Sequence, residues 1–92
     1  MEIRQLQDIM LRTYGDCDAK RGIPATIAWL TEEVGELAKA TRKGTKAEQL
    51  HEAGDVLAWL ASLANQLDID LAEAVSRFTE SCPHCHQVPC NC

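Results

Sequence analysis

Three observations predict that this chain folds as an all-α protein. Apolar residues recur at steps of three and four along most of its length, which is the helical period. The sustained alternation and β-branched enrichment typical of strands are missing. Residues suited to helix ends, among them Pro24, Gly44 and Thr45, fall between the periodic segments. We therefore expect a helical bundle.

The first two helices are delimited by glycine and proline. Residues 2–14 show a helical period, and we expect Gly15–Asp18 to break it. Pro24 suits the first turn of a second helix. Gly44 stands where that helix should end, a position at which a left-handed C-cap is common.

Two further helices complete the expected bundle. Thr45 is suited to be an N-cap, and Glu48, three residues on, would complete a capping box. The third helix should cover about residues 46–67 and the fourth about residues 71–79. We assign residues 1–80 to one helical domain and residues 81–92 to a short Cys-rich C-terminal tail.

The third helix indicates that the protein works as a homo-oligomer. Residues 56–64 are apolar nearly all round, which is typical of a helix buried on several sides. A chain of 92 residues buries a limited share of its own surface. We therefore expect a dimer or tetramer to complete the four-helix bundle.

Composition narrows the class of partner. The net charge of −5 argues against a nucleic-acid polymer as ligand, because phosphate backbones require positive surfaces. No run of 18 apolar residues exists, so no membrane-spanning helix is expected. The N-terminus has no basic-then-apolar signal pattern, and we expect a cytoplasmic protein.

Acidic residues form two pairs with the same helical spacing. Glu33 and Glu36 share one face of the second helix, and Glu52 and Asp55 share one face of the third. Carboxylates in apolar helical surroundings are costly unless they are neutralised. Hard divalent cations neutralise such groups, so the pattern predicts a site for Mg²⁺ or Mn²⁺ between the two helices.

A glycine lies inside each acidic motif. A glycine in a helix interior costs roughly 1 kcal/mol relative to alanine. Gly35 and Gly54 therefore indicate either a close approach of helices or room for a ligand beside the backbone.

These motifs and their flanks resemble a known family. The segments Glu33–Ala38, Asp55–Leu60 and Leu67–Val75, together with the acidic spacing, are similar to the MazG-like nucleotide pyrophosphohydrolases of the all-α NTP pyrophosphatase superfamily. The resemblance covers roughly residues 1–80. It implies Mg²⁺-dependent hydrolysis of a nucleoside triphosphate to the monophosphate and pyrophosphate.

The resemblance also implies roles for individual acids. Glu33, Glu36, Glu52 and Asp55 would be the Mg²⁺ ligands, and Glu32 would be an outer ligand or orient the attacking water. These five residues are the predicted catalytic set. The chemistry is consistent, because phosphoanhydride cleavage needs cations and an oriented water more than covalent help.

The sequence assigns the substrate-binding residues less firmly than the acidic residues. Lys39, Arg42 and Lys43 follow the first acidic pair, where they either hold phosphate or simply favour a helix C-terminus. Trp59 lies one turn beyond Asp55, where it either stacks on a base or packs in a core or subunit contact. Further candidates, without a motif behind them, are Lys20, Arg21 and Asn65.

Two other interpretations of the acids compete with this one. A di-iron bundle needs Glu-x-x-His on two helices, but only Glu48–His51 supplies it, and His51 is expected at the surface or an interface. The second interpretation is a non-enzymatic helical oligomer that docks a partner protein through its tail. In such a module the acids would be paired with Lys or Arg.

The tail concentrates cysteine. Cys82, Cys85, Cys90 and Cys92 fall within eleven residues, beside two prolines. In a reducing compartment such a cluster favours a structural Zn²⁺ site, in which His84 or His86 could replace one thiolate. A flexible tail and two disulfides are the alternatives. Cys17 stands alone and is expected to have no role.

Overall fold

The structure, a computed structural model, describes residues 1–92 and contains helices without any strand. The prediction of an all-α fold is confirmed. Three long helices are followed by one short helix and a 3₁₀ turn. In chain order these elements are α1 (Ile3–Arg21), α2 (Ile23–Lys43), α3 (Lys46–Gln66), α4 (Leu71–Ala74) and the 3₁₀ turn Ser76–Phe78. None of the helices combines the length and the apolar character that a membrane crossing requires.

The first helix is longer than predicted. The expected break at Gly15–Asp18 is wrong, because α1 continues to Arg21. One interior glycine costs only about 1 kcal/mol, and tertiary contacts of the following turn offset that cost. The carbonyl of Asp18 accepts a hydrogen bond of 2.7 Å from Nε2 of Gln66 on α3. Gly22, whose φ is +85°, supplies the actual break between α1 and α2.

A tight connection turns α2 back into α3. Gly44 ends α2 as expected, but its backbone is extended (φ −100°, ψ 174°), so a left-handed cap is not formed. A Cβ at this position would lie 2.8 Å from the Cα and carbonyl oxygen of Ala40, which explains why glycine is needed there. The capping box is confirmed: Thr45 Oγ1 accepts from the Glu48 amide at 3.2 Å, and Glu48 Oε1 accepts from the Thr45 amide at 3.3 Å.

The last helix is shorter than predicted. Asp70 caps α4 by accepting a hydrogen bond from the Ala72 amide at 2.9 Å, but α4 ends at Ala74. Side chains then donate hydrogen bonds to backbone carbonyls that would otherwise accept from amides of a continuing helix. Ser76 Oγ donates to the Glu73 carbonyl at 2.7 Å, and a guanidinium nitrogen of Arg77 donates to the Ala74 carbonyl at 2.9 Å. Such local bonds compete with helix propagation, so a 3₁₀ turn follows.

The core of the chain lies where α1 crosses α3 and α4. Ala61, Ala64 and Leu71 are buried there, and three half-buried side chains of α1 pack against them: Ile3, Leu6 and Met10. Gln7 ties the layers together, because its Oε1 accepts from the Leu71 amide at 2.9 Å and its carbonyl accepts from Asn65 Nδ2 at 3.1 Å. This small core holds α1 against the α2–α3 hairpin.

We expect Thr45→Ala to lower the free energy of unfolding by about 1 kcal/mol, because the capping box of α3 would be lost. Thr41→Ala is the matched control. Thr41 is an exposed threonine of α2 whose hydroxyl only bonds back to the Leu37 carbonyl. Urea unfolding followed by circular dichroism measures both variants. Equal destabilisation by the two substitutions would contradict the role assigned to the cap.

Candidate metal and phosphate site

The antiparallel hairpin of α2 and α3 brings Glu33 against acids of α3. The pKa of the Glu33 carboxyl is raised from its ordinary value of 4.5, first by desolvation and then by the negative charges of Asp55, Glu52 and Glu32. Glu33, Glu52 and Asp55 are all half-buried, whereas Glu32 is exposed. Three carboxyl groups from two helices thus share one partly exposed region.

One acid of each pair lines a small cavity with basic walls. Glu36 of α2 and Glu52 of α3 line this cavity of about 180 Å³. Lys39 and Lys43 line it too, one and two turns beyond Glu36. Arg42 is exposed and is not among its lining residues. Basic groups therefore stand beside the acids, which is the arrangement that a phosphate chain bound through a cation requires.

The four acids have no Lys or Arg partner within ion-pair distance. The ion pairs of the chain join Arg4 to Asp70, Arg12 to Asp8 and Arg21 to Asp18. The remaining contact joins Asp55 Oδ2 to His51 Nε2 at 3.3 Å and is an ion pair only when the imidazole is protonated. Uncompensated carboxylate oxygens are the ligands that Mg²⁺ and Mn²⁺ prefer, so Glu33, Glu52 and Asp55 fit such an ion. Glu36 is exposed and shares only the small cavity with Glu52.

His51 stands next to the acids. Its side chain is 72% exposed, in agreement with the expectation of a surface residue. However, ligand atoms of His51, Glu52 and Asp55 all lie within 4.8 Å of one another. The spacing of four between His51 and Asp55 could have revealed this contact from the sequence. Glu48 of the Glu-x-x-His match is instead occupied by the cap at Thr45, which weighs against a di-iron site.

Trp59 contacts one aromatic and one cationic side chain. Its ring stacks on that of Trp29, with centroids 5.8 Å apart and planes inclined by 13°. The guanidinium carbon of Arg21 lies 4.7 Å from the Trp59 ring centroid. Asp18 holds Arg21 through an oxygen–nitrogen contact of 2.7 Å and is itself almost fully buried. No sequence motif supported Arg21 as a substrate-binding candidate. Its position over Trp59 now places it beside the acidic site.

A cavity of about 240 Å³ connects the tryptophan to the acids. Asp55 and Trp59 of α3 line it together with Asp18 and Arg21 of α1. Trp59 therefore belongs to the surroundings of Asp55 and also takes part in packing against Trp29. The contact with Trp29 supports the packing interpretation, and stacking on a base stays a prediction.

The glycines of the acidic motifs have no other part of the chain close to them. A Cβ built at Gly35 or Gly54 would have no neighbour within 4 Å. A close approach of α2 and α3 is thus not the reason for glycine at these positions. Both glycines are exposed, and room for a ligand beside the backbone stays a prediction.

The tail brings its four sulfur atoms together. The Sγ atoms of Cys82, Cys85, Cys90 and Cys92 all lie within 4.8 Å of one another, and this group can hold a metal ion. The pKa of Cys85 is lowered to about 6, first by the hydrogen bond from the Asn91 backbone. The pKa of Cys92 is raised to about 11 by its sulfur neighbours, Cys90 first. Cys17 is exposed on α1 and belongs to no such group.

The geometry defines a class: an all-α protein whose central helical hairpin gathers acids from both arms. Comparison with known proteins identifies the family. The model of the MazG nucleotide pyrophosphohydrolase domain matches residues 21–87. The chain therefore belongs to the MazG family, as its resemblance predicted.

Two relatives illustrate the similarity. The Gene 37 protein of Mycobacterium phage L5 is 32% identical over a segment covering 68% of this chain and 65% of the relative. The uncharacterized protein YpjD of Bacillus subtilis (strain 168) is 46% identical over a segment covering 58% of this chain and 57% of the relative. The chain thus spans less than two thirds of the length of either relative.

We expect Glu33→Gln to stabilise the metal-free protein at neutral pH, because it removes one of the repelling charges. The raised pKa of Glu33 means that the folded state binds a proton more tightly than the unfolded state. Stability of the metal-free wild type should therefore fall as pH rises from about 4.5 through the raised pKa of the folded state.

Thermal unfolding in EDTA and in Mg²⁺ measures this effect. Mg²⁺ should raise the Tm of the wild type more than that of Glu33→Gln. Glu80→Gln, which alters a carboxyl outside the cluster, should change neither the pH dependence nor the response to Mg²⁺. A Glu33→Gln protein that is less stable in EDTA than the wild type would contradict the repulsion.

Proposed function

We propose that the chain hydrolyses nucleoside triphosphates to the nucleoside monophosphate and pyrophosphate, using Mg²⁺ or Mn²⁺. The observation that carries the proposal is the gathering of Glu33, Glu52 and Asp55 across the α2–α3 hairpin without any Lys or Arg partner. Membership in the MazG family supports the same chemistry.

The divalent ion would supply charge neutralisation on the phosphate oxygens and a binding point for water. Glu33, Glu36, Glu52 and Asp55 would hold it, since their oxygens are the hard ligands of the site. Glu32, exposed beside Glu33, would orient the attacking water or act as an outer ligand. One water is consumed, the anhydride bond between the α- and β-phosphates breaks, and pyrophosphate leaves.

The surroundings of the acids suggest where the rest of the substrate lies. Lys39 and Lys43, on the wall of the cavity that contains Glu36 and Glu52, would neutralise the outer phosphates. Arg42 would contribute only to the positive potential near that cavity. The nucleoside would enter the cavity between Asp55 and Trp59. Stacking of its base on Trp59 would require Arg21 or Trp29 to give up its present contact with the ring.

The non-enzymatic alternative receives less support. A module in which the acids only stabilise the fold should pair them with Lys or Arg, because unpaired carboxylates in poorly solvated places destabilise a protein. Neither lysine nor arginine lies within ion-pair distance of these four acids. Uncompensated charge of this kind is typical of binding and catalytic sites.

Product analysis tests the reaction type. The purified chain is incubated with each NTP and dNTP in the presence of Mg²⁺, and the products are separated by chromatography. We expect the monophosphate and pyrophosphate in equal amounts. Release of orthophosphate with the diphosphate left behind would rule out this reaction.

Single substitutions test the ligand assignment. Glu36→Gln and Asp55→Asn should each abolish turnover, because each removes a negatively charged ligand from the ion. Circular dichroism should show an intact helical fold in both. Asp16→Asn, at an exposed acid of α1, should leave kcat/KM unchanged. Full activity in either of the first two variants would exclude that residue as a ligand.

We also propose that the chain forms a homo-oligomer, either a dimer or a tetramer. Only seven of the 92 residues are buried, and the buried apolar set consists of Ala40, Ala61, Ala64 and Leu71. Several large apolar side chains of α2 and α3 are about half exposed, including Ile27 (48%), Val34 (49%) and Leu57 (50%). A second copy would cover them.

Light scattering at micromolar concentration measures the assembly. We expect at least a dimer for the wild type. Leu57→Glu should shift the population toward monomer, because a charge would be placed on an apolar face, whereas Leu11→Glu on α1 is the control at a similarly exposed leucine. A monomeric wild type would contradict the proposal.

A further inference from the structure

The cysteine tail forms a cluster of its own, outside the carboxylate site. The segment from Cys82 to Cys92 contains four of the five cysteines of the chain and follows the last helical turn at Phe78. All four are free thiols. No role in phosphate hydrolysis is assigned to them, so their convergence needs a separate explanation.

The distances between the sulfur atoms match the edges of a tetrahedron around a metal ion. Sγ of Cys82 lies 3.7 Å from Sγ of Cys92, and Sγ of Cys85 lies 3.8 Å from Sγ of Cys90. A Zn–S bond length of about 2.3 Å corresponds to an S···S edge of about 3.8 Å in a regular tetrahedron. The remaining sulfur pairs stay within 4.8 Å. A single ion at the centre can therefore contact all four sulfurs after small adjustments.

Backbone amides point at three of the four sulfurs. The amide of His84 donates to Sγ of Cys82 at 3.4 Å. The amide of Asn91 donates to Sγ of Cys85 at 3.3 Å. The amide of Cys92 donates to Sγ of Cys90 at 3.3 Å. Such outer hydrogen bonds orient thiolate ligands and spread their negative charge, which is the usual support of a metal–thiolate site.

We propose that Cys82, Cys85, Cys90 and Cys92 bind one Zn²⁺ ion as a tetrahedral tetrathiolate site. Four protein ligands complete the coordination of Zn²⁺, so the site is structural and offers no open position for catalysis. Soft sulfur ligands separate it from the carboxylate site, whose hard oxygens prefer Mg²⁺ or Mn²⁺. His84 and His86 are not members of the sulfur cluster, so neither replaces a thiolate.

The ion would order the Cys-rich tail, which has no apolar core of its own. No residue after Leu71 is buried, and Val88 is 75% exposed. Ordering a backbone costs about 1–2 kcal/mol per residue, and no apolar core in the tail offsets this cost. Binding of Zn²⁺ supplies the missing free energy, as it does in other small metal-dependent folds. Removal of the ion should therefore disorder the tail and leave the helices folded.

Elemental analysis of the full chain tests the proposal. The protein is purified under reducing conditions without chelator, and zinc and iron are both quantified. We expect about one zinc per chain and no iron. Zinc below about a tenth of an equivalent, also after addition of Zn²⁺ and removal of the excess, would overturn the proposal. Iron in place of zinc would overturn the choice of metal.

Matched substitutions locate the ligands. Cys82→Ser, Cys85→Ser, Cys90→Ser and Cys92→Ser should each weaken zinc binding at least about tenfold in competition with a chromophoric chelator. Cys17→Ser, at the remaining cysteine, should bind zinc like the wild type, and so should His84→Ala and His86→Ala. Unchanged affinity in any of the four tail cysteine variants, or weaker binding in a control, would contradict a site made of these four thiolates.

Cobalt provides a readout that does not depend on hydrolysis. Co²⁺ bound to the full chain should give the sulfur-to-cobalt charge-transfer band and the intense visible bands of tetrahedral coordination, and Zn²⁺ should displace it. Asp55→Asn should leave these spectra unchanged, so the zinc proposal and the hydrolase proposal can fail separately. Thiol titration that finds disulfides in the freshly purified tail, or the absence of the sulfur-to-cobalt band after Co²⁺ is added, would overturn the site.

Discussion

The electrostatic repulsion between Glu33 of α2 and the acids of α3 is the constraint on which the rest of the structure depends. Like charges that lie close together favour separation of the helices that carry them. The hairpin nevertheless holds them together, because Gly44 permits a tight approach to Ala40 and the capping box at Thr45 starts α3 immediately afterwards. Under the proposed function, a divalent cation bound between these acids would relieve the repulsion.

The remaining elements support this hairpin from one side. The segment of α1 that ends at Arg21 reaches α3 through the bond between Asp18 and Gln66 and places a guanidinium over Trp59. Without the last turns of α1, the cavity beside Asp55 would lose the wall that Asp18 and Arg21 form. The continuation of α1 past Gly15 is thus a condition for this cavity, and the short break at Gly22 separates α1 from α2.

The sequence predicted those features that depend on local rules and missed those that depend on distant contacts. Periodicity and the Thr45 cap located α2 and α3 closely, and helical spacing placed the acids of each helix on one face. The end of α1 was misplaced because the bond from Gln66 to Asp18 joins residues far apart in the chain. For the same reason, spacing could not say that Glu33 meets Asp55 while Glu36 shares a cavity with Glu52. The contact of Arg21 with Trp59 has no local signal at all.

The scarcity of buried side chains has a consequence for how this protein behaves at different concentrations. Four buried apolar residues contribute little to the free energy of folding of a single chain. If subunit contacts supply the remainder, folding and association are linked by mass action, and the apparent Tm should increase with protein concentration. Dilution would then act as a denaturant, and the number of copies in a compartment would help determine how long each copy survives proteolysis.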